Sequence, residues 1–234
     1  MRPSLPARLA CEFLGTAFLV AAVVGSGIMG ERLAGGNAAL ALLANTIATG
    51  AALLALILAF GPISGAHLNP VVSLADAIEA GLSYRGAMFY GVAQVFGGAA
   101  GAIVANVMFG IPMVSLSHHV RSGGTQVLGE FVATFGLMTV IWGCVRSRPS
   151  AVAAAVASYI TAAYWFTSST SFANPAVTIA RCLSDTFAGI RPKDVLPFVA
   201  AQFAGGIAAT LLFRFLFPAA SSCQEQAALP GPAD

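Results

Sequence analysis

Two Asn-Pro dipeptides, Asn69-Pro70 and Asn174-Pro175, constrain the fold of this chain more than any other feature. Each opens a helix-like apolar run that is only about half as long as the ~20 residues needed to cross ~30 Å of hydrocarbon. Each run is therefore expected to form a half-helix that ends near the middle of a membrane. Two such half-helices indicate a membrane pore.

The composition agrees with a membrane location, since 58% of the 234 residues are hydrophobic and only 9% are charged. Six long uncharged stretches approach spanning length. They are residues 14–30, 33–60, 86–112, 131–145, 151–167 and 195–213. We therefore predict an all-α membrane protein with six transmembrane helices and two re-entrant half-helices.

Charge and cysteine content exclude several other classes of protein. The net charge of +2 is small and dispersed, so nucleic acid is not an expected partner. The four cysteines lack metal-ligand or disulfide spacing, and we expect neither a metal site nor a cofactor. His67, His118 and His119 are too scattered for a catalytic constellation, so we do not expect an enzyme.

An internal repeat organises the chain. The segment EFLGTA at 12–17 resembles EFVATF at 130–135, and AQVFGG at 93–98 resembles AQFAGG at 201–206, with an Asn-Pro site between them in both halves. Three crossings plus a half-helix in each half make the second repeat inverted relative to the first. We expect one channel domain over 9–218, with repeats at about 9–112 and 126–218, and a disordered tail over 219–234.

The Asn-Pro sequence suits the start of a helix, because Asn caps the first turn and Pro has no amide hydrogen to leave unpaired. The preceding loops, residues 65–69 and 171–174, have non-helical backbone at membrane depth. Such backbone survives only where it is buried in protein or lines water, so these loops are expected to line a cavity.

Glu12 and Glu130 occupy matching positions in the repeat, near the ends of apolar helices. Acids inside a membrane are costly and usually functional. One hypothesis is a proton relay, as in a transporter. The other, which we favour, is that each carboxylate accepts hydrogen bonds from the loop amides of its own half.

The segments SGAHLNPVV at 64–72 and FANPAV at 172–177 resemble the paired Asn-Pro-Ala motifs of the aquaporin and aquaglyceroporin family. The resemblance covers essentially residues 9–217. It implies six tilted helices around two half-helices, a homotetramer with one pore per subunit, and passive conduction of small neutral solutes. It also implies a multi-pass protein in contact with lipid of the inner or plasma membrane, with both termini in the cytoplasm.

The resemblance further implies roles for individual residues. Asn69 and Asn174 offer side-chain amide hydrogens to the solute at the pore midplane. The acceptors along the path are backbone carbonyls of Gly65, Ala66, His67, Ser171, Phe172 and Ala173.

Family spacing also gives four positions of a narrow outer selectivity filter. They lie 20 residues before Asn69, and 12 before, 3 before and 3 after Asn174, and they correspond to Thr49, Ala162, Ser171 and Val177. Where the family usually has an aromatic residue and an arginine, this ring is expected to have neither, and to be wide as a result.

Arg181 lies one turn beyond Val177, and for it we consider two positions. It either faces the outer vestibule or bonds to Asp185 or a loop carbonyl. Its repeat counterpart Asp76 is expected in the inner vestibule, and His118 and His119 are expected to be solvated.

These features predict a passive channel with a wide filter. An arginine-free filter resembles variants of the family associated with bacterial arsenic-resistance gene clusters. The expected solutes are therefore metalloid acids such as arsenite, and methylated arsenicals, together with water and glycerol. A glycerol or urea facilitator, and a secondary transporter with inverted repeats, remain alternatives.

Overall fold

The structure is a computed structural model that describes residues 3–217, so the expected disordered tail over 219–234 lies outside the described residues. Within the described range the chain forms eight α-helices and one 3₁₀ turn. In chain order they are α1 (Leu5–Leu33), α2 (Ala38–Ser64), α3 (Pro70–Ile78), α4 (Tyr84–Met108), α5 (Gly124–Ser147), the 3₁₀ turn (Pro149–Ala151), α6 (Val152–Phe166), α7 (Pro175–Arg181) and α8 (Pro192–Leu216).

Five of these helices, α1, α2, α4, α5 and α8, are long and apolar enough to cross a membrane. The sixth span, α6, has only 15 residues of α-helix. The 3₁₀ turn directly precedes it, and at 1.5 Å and ~2.0 Å rise per residue the two together reach about 28 Å. The expected sixth crossing is therefore a composite of two helix types.

The two half-helices begin at the Asn-Pro sites. Helix α3 has nine residues and α7 has seven, so they extend only about 14 and 11 Å at 1.5 Å per residue. The Asn69 side chain accepts a hydrogen bond from the backbone amide of Val71. The Asn174 side chain accepts hydrogen bonds from the backbone amides of Ala176 and Val177. Proline fills the first helical position in both cases.

Glycines allow the long helices to cross closely in each half. Helix α1 packs on α4, and a Cβ added at Gly97 or Gly101 would overlap the backbone carbonyls of α1. Helix α5 packs on α8, and a Cβ at Gly205 would overlap the Phe131 carbonyl in the same way. The small residues thus serve helix packing.

Candidate functional site: a cavity between the two half-helices

A cavity of about 1100 Å³, open ends included, runs beside the N-termini of the two half-helices. Asn69 and Asn174 line it, and the half-helices point away from this meeting point. Asp76 and Arg181 each lie seven residues beyond their asparagine, and both also line the cavity. They therefore lie toward its opposite ends, which we call the inner end (Asp76) and the outer end (Arg181).

The two asparagines join the halves at the centre of the cavity. The side-chain amide of Asn69 donates to the carbonyl of Ala173 at 2.8 Å, and that of Asn174 donates to the carbonyl of Leu68 at 2.7 Å. An amide group has two hydrogens, so one on each asparagine is left for a solute. The Ala173 carbonyl, expected to face the path, is also the acceptor for Asn69.

The loops before the half-helices contain residues with left-handed backbone, which the sequence did not indicate. Ala66 and Leu68 have φ of 46° and 49°, and their repeat counterparts Ser171 and Ala173 have φ of 50° and 48°. Left-handed backbone costs roughly 1–2 kcal/mol for a residue other than glycine. Such loops persist only because surrounding contacts hold them.

Glu12 supplies these contacts in the first half. It is fully buried and accepts the amides of His67 at 3.0 Å and Leu68 at 2.7 Å. The Ser64 hydroxyl donates to it at 2.6 Å and the Gln94 amide at 2.8 Å. The carboxylate is thus fully occupied by donors from its own half.

Glu130 makes the equivalent contacts in the second half. It is also fully buried, and it accepts the amides of Phe172 and Ala173, both at 2.8 Å. The side chain of Gln202 donates to it at 2.6 Å. These bonds are those of the loop-supporting hypothesis.

The filter positions from family spacing are only partly brought together. Thr49, Ser171 and Val177 are buried and line the outer part of the cavity. Ala162 does not line it and is exposed on the outer surface of α6. The assignment of Ala162 to the filter is therefore wrong in this structure.

The helical period explains the error. The residues of α6 that line the cavity are spaced four apart, and they are Val152, Val156, Ile160 and Tyr164. Ala162 is two residues from both Ile160 and Tyr164, which turns its side chain about 200° away at 3.6 residues per turn. The spacing of large apolar residues at every fourth position of α6 was the signal in the sequence that would have identified Tyr164.

Tyr164 also corrects the expectation that the ring contains no aromatic residue. It is buried, and its hydroxyl oxygen lies 3.3 Å from that of Thr49. Thr49, Tyr164, Ser171 and Val177 all line the cavity, so Tyr164 takes the place of Ala162 among the candidate ring residues. The Ser171 hydroxyl has no hydrogen-bond partner among residues 3–217.

Arg181 satisfies parts of both alternatives raised for it. Its side chain is 2% exposed, Nε donates to the Ala188 carbonyl, and the guanidinium carbon lies 3.4 Å from the centroid of the Phe172 ring. Arg181 nevertheless lines the cavity, one turn beyond Val177. Asp185 is engaged elsewhere, by His118.

A second cavity adjoins the outer end, and Arg181 lines both. His119 and Arg121 also line the second cavity. Arg121 is a buried loop residue that no motif or spacing in the sequence singles out. Burial lowers the pKa of Arg121 to about 10, so it stays protonated at neutral pH. His119 is exposed, but partial desolvation of its ring, together with the charges of Arg121 and Arg181, lowers the pKa of His119 below its ordinary value.

His118 is solvent-exposed, as expected, with 88% of its side chain accessible. Its backbone amide and ring both bond to Asp185, the ring at 3.0 Å. The backbone bond is the largest influence that lowers the pKa of the Asp185 carboxyl.

The inner end of the cavity contains an acid and a histidine. His67 Nε2 lies 3.8 Å from the carboxylate of Asp76, and His67 Nδ1 lies 3.2 Å from the Ser73 hydroxyl. The ring of His67 packs edge-on against Tyr90. The residues whose carbonyls were expected along the path all line the cavity, namely Gly65, Ala66, His67, Ser171, Phe172 and Ala173.

Comparison with known proteins identifies similar sequences along the whole chain. The sequence profile described as "Major intrinsic protein" matches residues 3–157 and 145–232. Aquaglyceroporin AqpS of Rhizobium meliloti (strain 1021) is 51% identical over 212 residues, which cover 91% of each chain. Aquaporin-2 of Rattus norvegicus is 27% identical over 228 residues, covering 93% of this chain and 82% of the relative.

A solved structure shares the fold. The X-ray structure of the aquaglyceroporin from Plasmodium falciparum aligns with a TM-score of 0.71, covering 96% of this chain and 100% of the other. Only 21% of the aligned residues are identical, so this likeness concerns architecture alone.

Proposed function

From the premise that this chain belongs to the major intrinsic protein family, we propose that it is a passive transmembrane channel of the aquaglyceroporin type for small uncharged solutes. Its 51% identical relative from Rhizobium meliloti is named an aquaglyceroporin, which supports this class. The cavity between the half-helices supports it too, because residues from both ends of the bundle line one continuous space. No catalytic step, metal or cofactor is part of the proposal.

In this channel Asn69 and Asn174 bind the solute at the midplane. Each has one amide hydrogen left after its bond to the opposite loop. Carbonyls of the two loops accept from the solute on either side, at Gly65, Ala66, His67, Ser171, Phe172 and Ala173. Glu12 and Glu130 keep those loops in their strained conformation.

The observation that carries the choice of solute is the composition of the ring. Thr49, Tyr164 and Ser171 contribute hydroxyls, and Val177 stands where the family usually has arginine. A ring without a guanidinium at that position is wider and presents one apolar side. We propose that it passes neutral metalloid acids such as arsenous acid, and methylated arsenicals, along with water and glycerol.

Arsenous acid is a neutral molecule with three hydroxyl groups, so each hydroxyl at the ring can exchange a hydrogen bond with it. The free hydroxyl of Ser171 suits this role, since it lacks a protein partner within residues 3–217. A glycerol or urea facilitator is the competing solute assignment, because those molecules offer similar donors and acceptors at a similar size.

A secondary transporter is the alternative mechanism. Transporters with inverted repeats usually have a coupling acid beside the binding site. Here Glu12 and Glu130 are fully buried and bonded to loop amides. Among residues 3–217, the acid that lines the cavity is Asp76, at the inner end. These positions favour the channel.

We further propose a homotetramer in the inner or plasma membrane, with both termini in the cytoplasm and repeats at about 9–112 and 126–218. Large apolar side chains on the outer helix faces support contact with lipid or neighbouring subunits. Phe18, Phe96 and Leu211, for example, are 61%, 67% and 53% exposed.

Stopped-flow measurements on proteoliposomes test the proposed function. Water, glycerol, urea, arsenous acid and a trivalent methylated arsenical are compared in vesicles with and without protein. We expect non-saturating flux, independent of a proton gradient, for arsenous acid and the methylated compound. Flux of glycerol and urea without either arsenical would select the competing solute assignment, and saturable proton-coupled flux would select the transporter.

A further inference from the structure

We propose that Arg181, one helical turn beyond the ring position of Val177, is the residue that excludes cations from this wide pore. The inference rests on the proposed function, because charge exclusion has meaning only in a conducting channel. In this proposal Val177 leaves the pore wide and Arg181 supplies the positive charge. A single arginine at the ring would both narrow the pore and charge it.

The position of Arg181 supports this role. Residues four apart on a helix share a face, and both Val177 and Arg181 line the main cavity. Arg181 also lines the outer cavity, so it lies at the boundary between the two. We infer that a solute moving between the outer cavity and the ring passes beside its guanidinium.

The charge of Arg181 has no carboxylate partner in the described part of the chain. Within residues 3–217 no acidic side chain forms an ion pair with it. Asp185 bonds to His118, and Glu130 is occupied by the amides of its own loop. Nε of Arg181 donates to Ala188, and its terminal nitrogens have no hydrogen-bond partner in the described part of the chain.

Arg121 has a different role, although it is also buried near the outer cavity. Its guanidinium donates to the carbonyls of Ser169, Phe187 and Gly189 and to the Thr170 hydroxyl. Arg121 therefore ties loops together. Arg181 is the arginine with donors left to meet a solute, so it can both repel a cation and bind a solute oxygen.

The opposite end of the pore carries the opposite charge. Asp76 occupies the same place in the first repeat that Arg181 occupies in the second, and it lines the inner end. A carboxylate there attracts cations. Arg181, by contrast, is a buried positive charge that lines the cavity and has no ion-pair partner among residues 3–217, and the low dielectric strengthens its repulsion of cations.

Cation flux through variants of the full-length protein tests the inference. Proteoliposomes containing wild type, Arg181→Gln, Arg181→Lys or the control Arg85→Gln are assayed for proton and Na⁺ flux, and for glycerol and arsenous acid uptake. Arg85 is an exposed arginine on α4 that does not line the cavity. We expect Arg181→Gln to raise cation flux by about tenfold or more, because the unpaired charge acts in a medium of low dielectric.

We expect Arg181→Lys and Arg85→Gln to exclude cations as wild type does. Cation flux through Arg181→Lys, or its absence from an Arg181→Gln protein that still passes glycerol, overturns the inference. If Arg181→Gln does not insert, cation flux is measured in Arg181→Lys and in the double variant Val177→Arg with Arg181→Gln. Each of these proteins retains a positive charge, so the inference predicts that both exclude cations. Cation flux through either protein overturns it. A wild type that passes no neutral solute overturns the proposed function instead.

Discussion

The side chain of Asn174 donates to the carbonyl oxygen of Leu68 at 2.7 Å, across the boundary between the two halves of the chain. The same side chain accepts the amides that begin α7. One residue therefore caps a half-helix, holds the opposite loop and presents a remaining hydrogen to the cavity. Asn69 does the same for the other half.

Replacing Asn174 with Ala is expected to abolish solute flux and to destabilise the protein. The capping bonds are worth about 1 kcal/mol, and the Leu68 carbonyl loses its donor. Flux is measured by stopped flow and stability by thermal unfolding in detergent. The control is Asn37→Ala, which removes an equivalent N-cap from α2 away from the cavity. An inserted Asn174→Ala protein with unchanged flux would refute the midplane role.

Glu130→Gln is expected to be milder than Glu130→Ala. Glutamine keeps one acceptor oxygen for the loop amides, whereas alanine leaves the buried amides of Phe172 and Ala173 unpaired, at about 1–3 kcal/mol each. Thermal unfolding and solute flux are compared with the exposed control Glu31→Gln. Proton-coupled flux that Glu130→Gln uncouples would replace the channel mechanism with a transporter.

Tyr164 and Ala162 provide a direct comparison between the structure and family spacing. Tyr164→Ala is expected to raise the permeability to methylated arsenical relative to water, because it removes a ring side chain from the cavity wall. Ala162→Phe is expected to leave that ratio unchanged, because Ala162 is exposed on the outside of α6. The opposite pattern would restore Ala162 to the filter.

Gly97→Ala is expected to destabilise the bundle by about 1–3 kcal/mol, since the added methyl overlaps the Phe13 carbonyl and forces α1 and α4 apart. Gly61→Ala is the matched control, because a Cβ on Gly61 of α2 meets no atom within 4 Å. Thermal unfolding midpoints of the two variants in detergent are compared. Equal midpoints would show that α1 and α4 are not closely packed at Gly97.

Most of the architecture could be predicted from the sequence, because the patterns that indicate it can be recognised without knowing which distant residues are in contact. The length of each apolar span and the Asn-Pro caps are local features, and the repeat is found by comparing short segments of sequence. The family match and the shared fold agree with these features. The start of the α6 span was harder to delimit, since a 3₁₀ turn precedes the α-helix.

The site was less predictable because it depends on rotation and on loop backbone. A count of 12 residues back from Asn174 reached Ala162, although the loop length and helix phase bring Tyr164 to the cavity. The left-handed backbone of Leu68 and Ala173 has no local signal, since neither residue is glycine. The path of the Arg181 side chain depends on Ala188 and Phe172, which the chain brings together only on folding.

The central proposal for this protein is that Val177 and Thr49 set the width of the ring. The most direct measurement is the permeability ratio of a trivalent methylated arsenical to water in wild type, Val177→Arg and the double variant with Thr49→Phe. We predict that the ratio falls with Val177→Arg and falls further in the double variant, with water flux least affected, because both side chains project into one ring. Ratios that stay equal in all three proteins would show that Thr49 and Val177 do not select the solute.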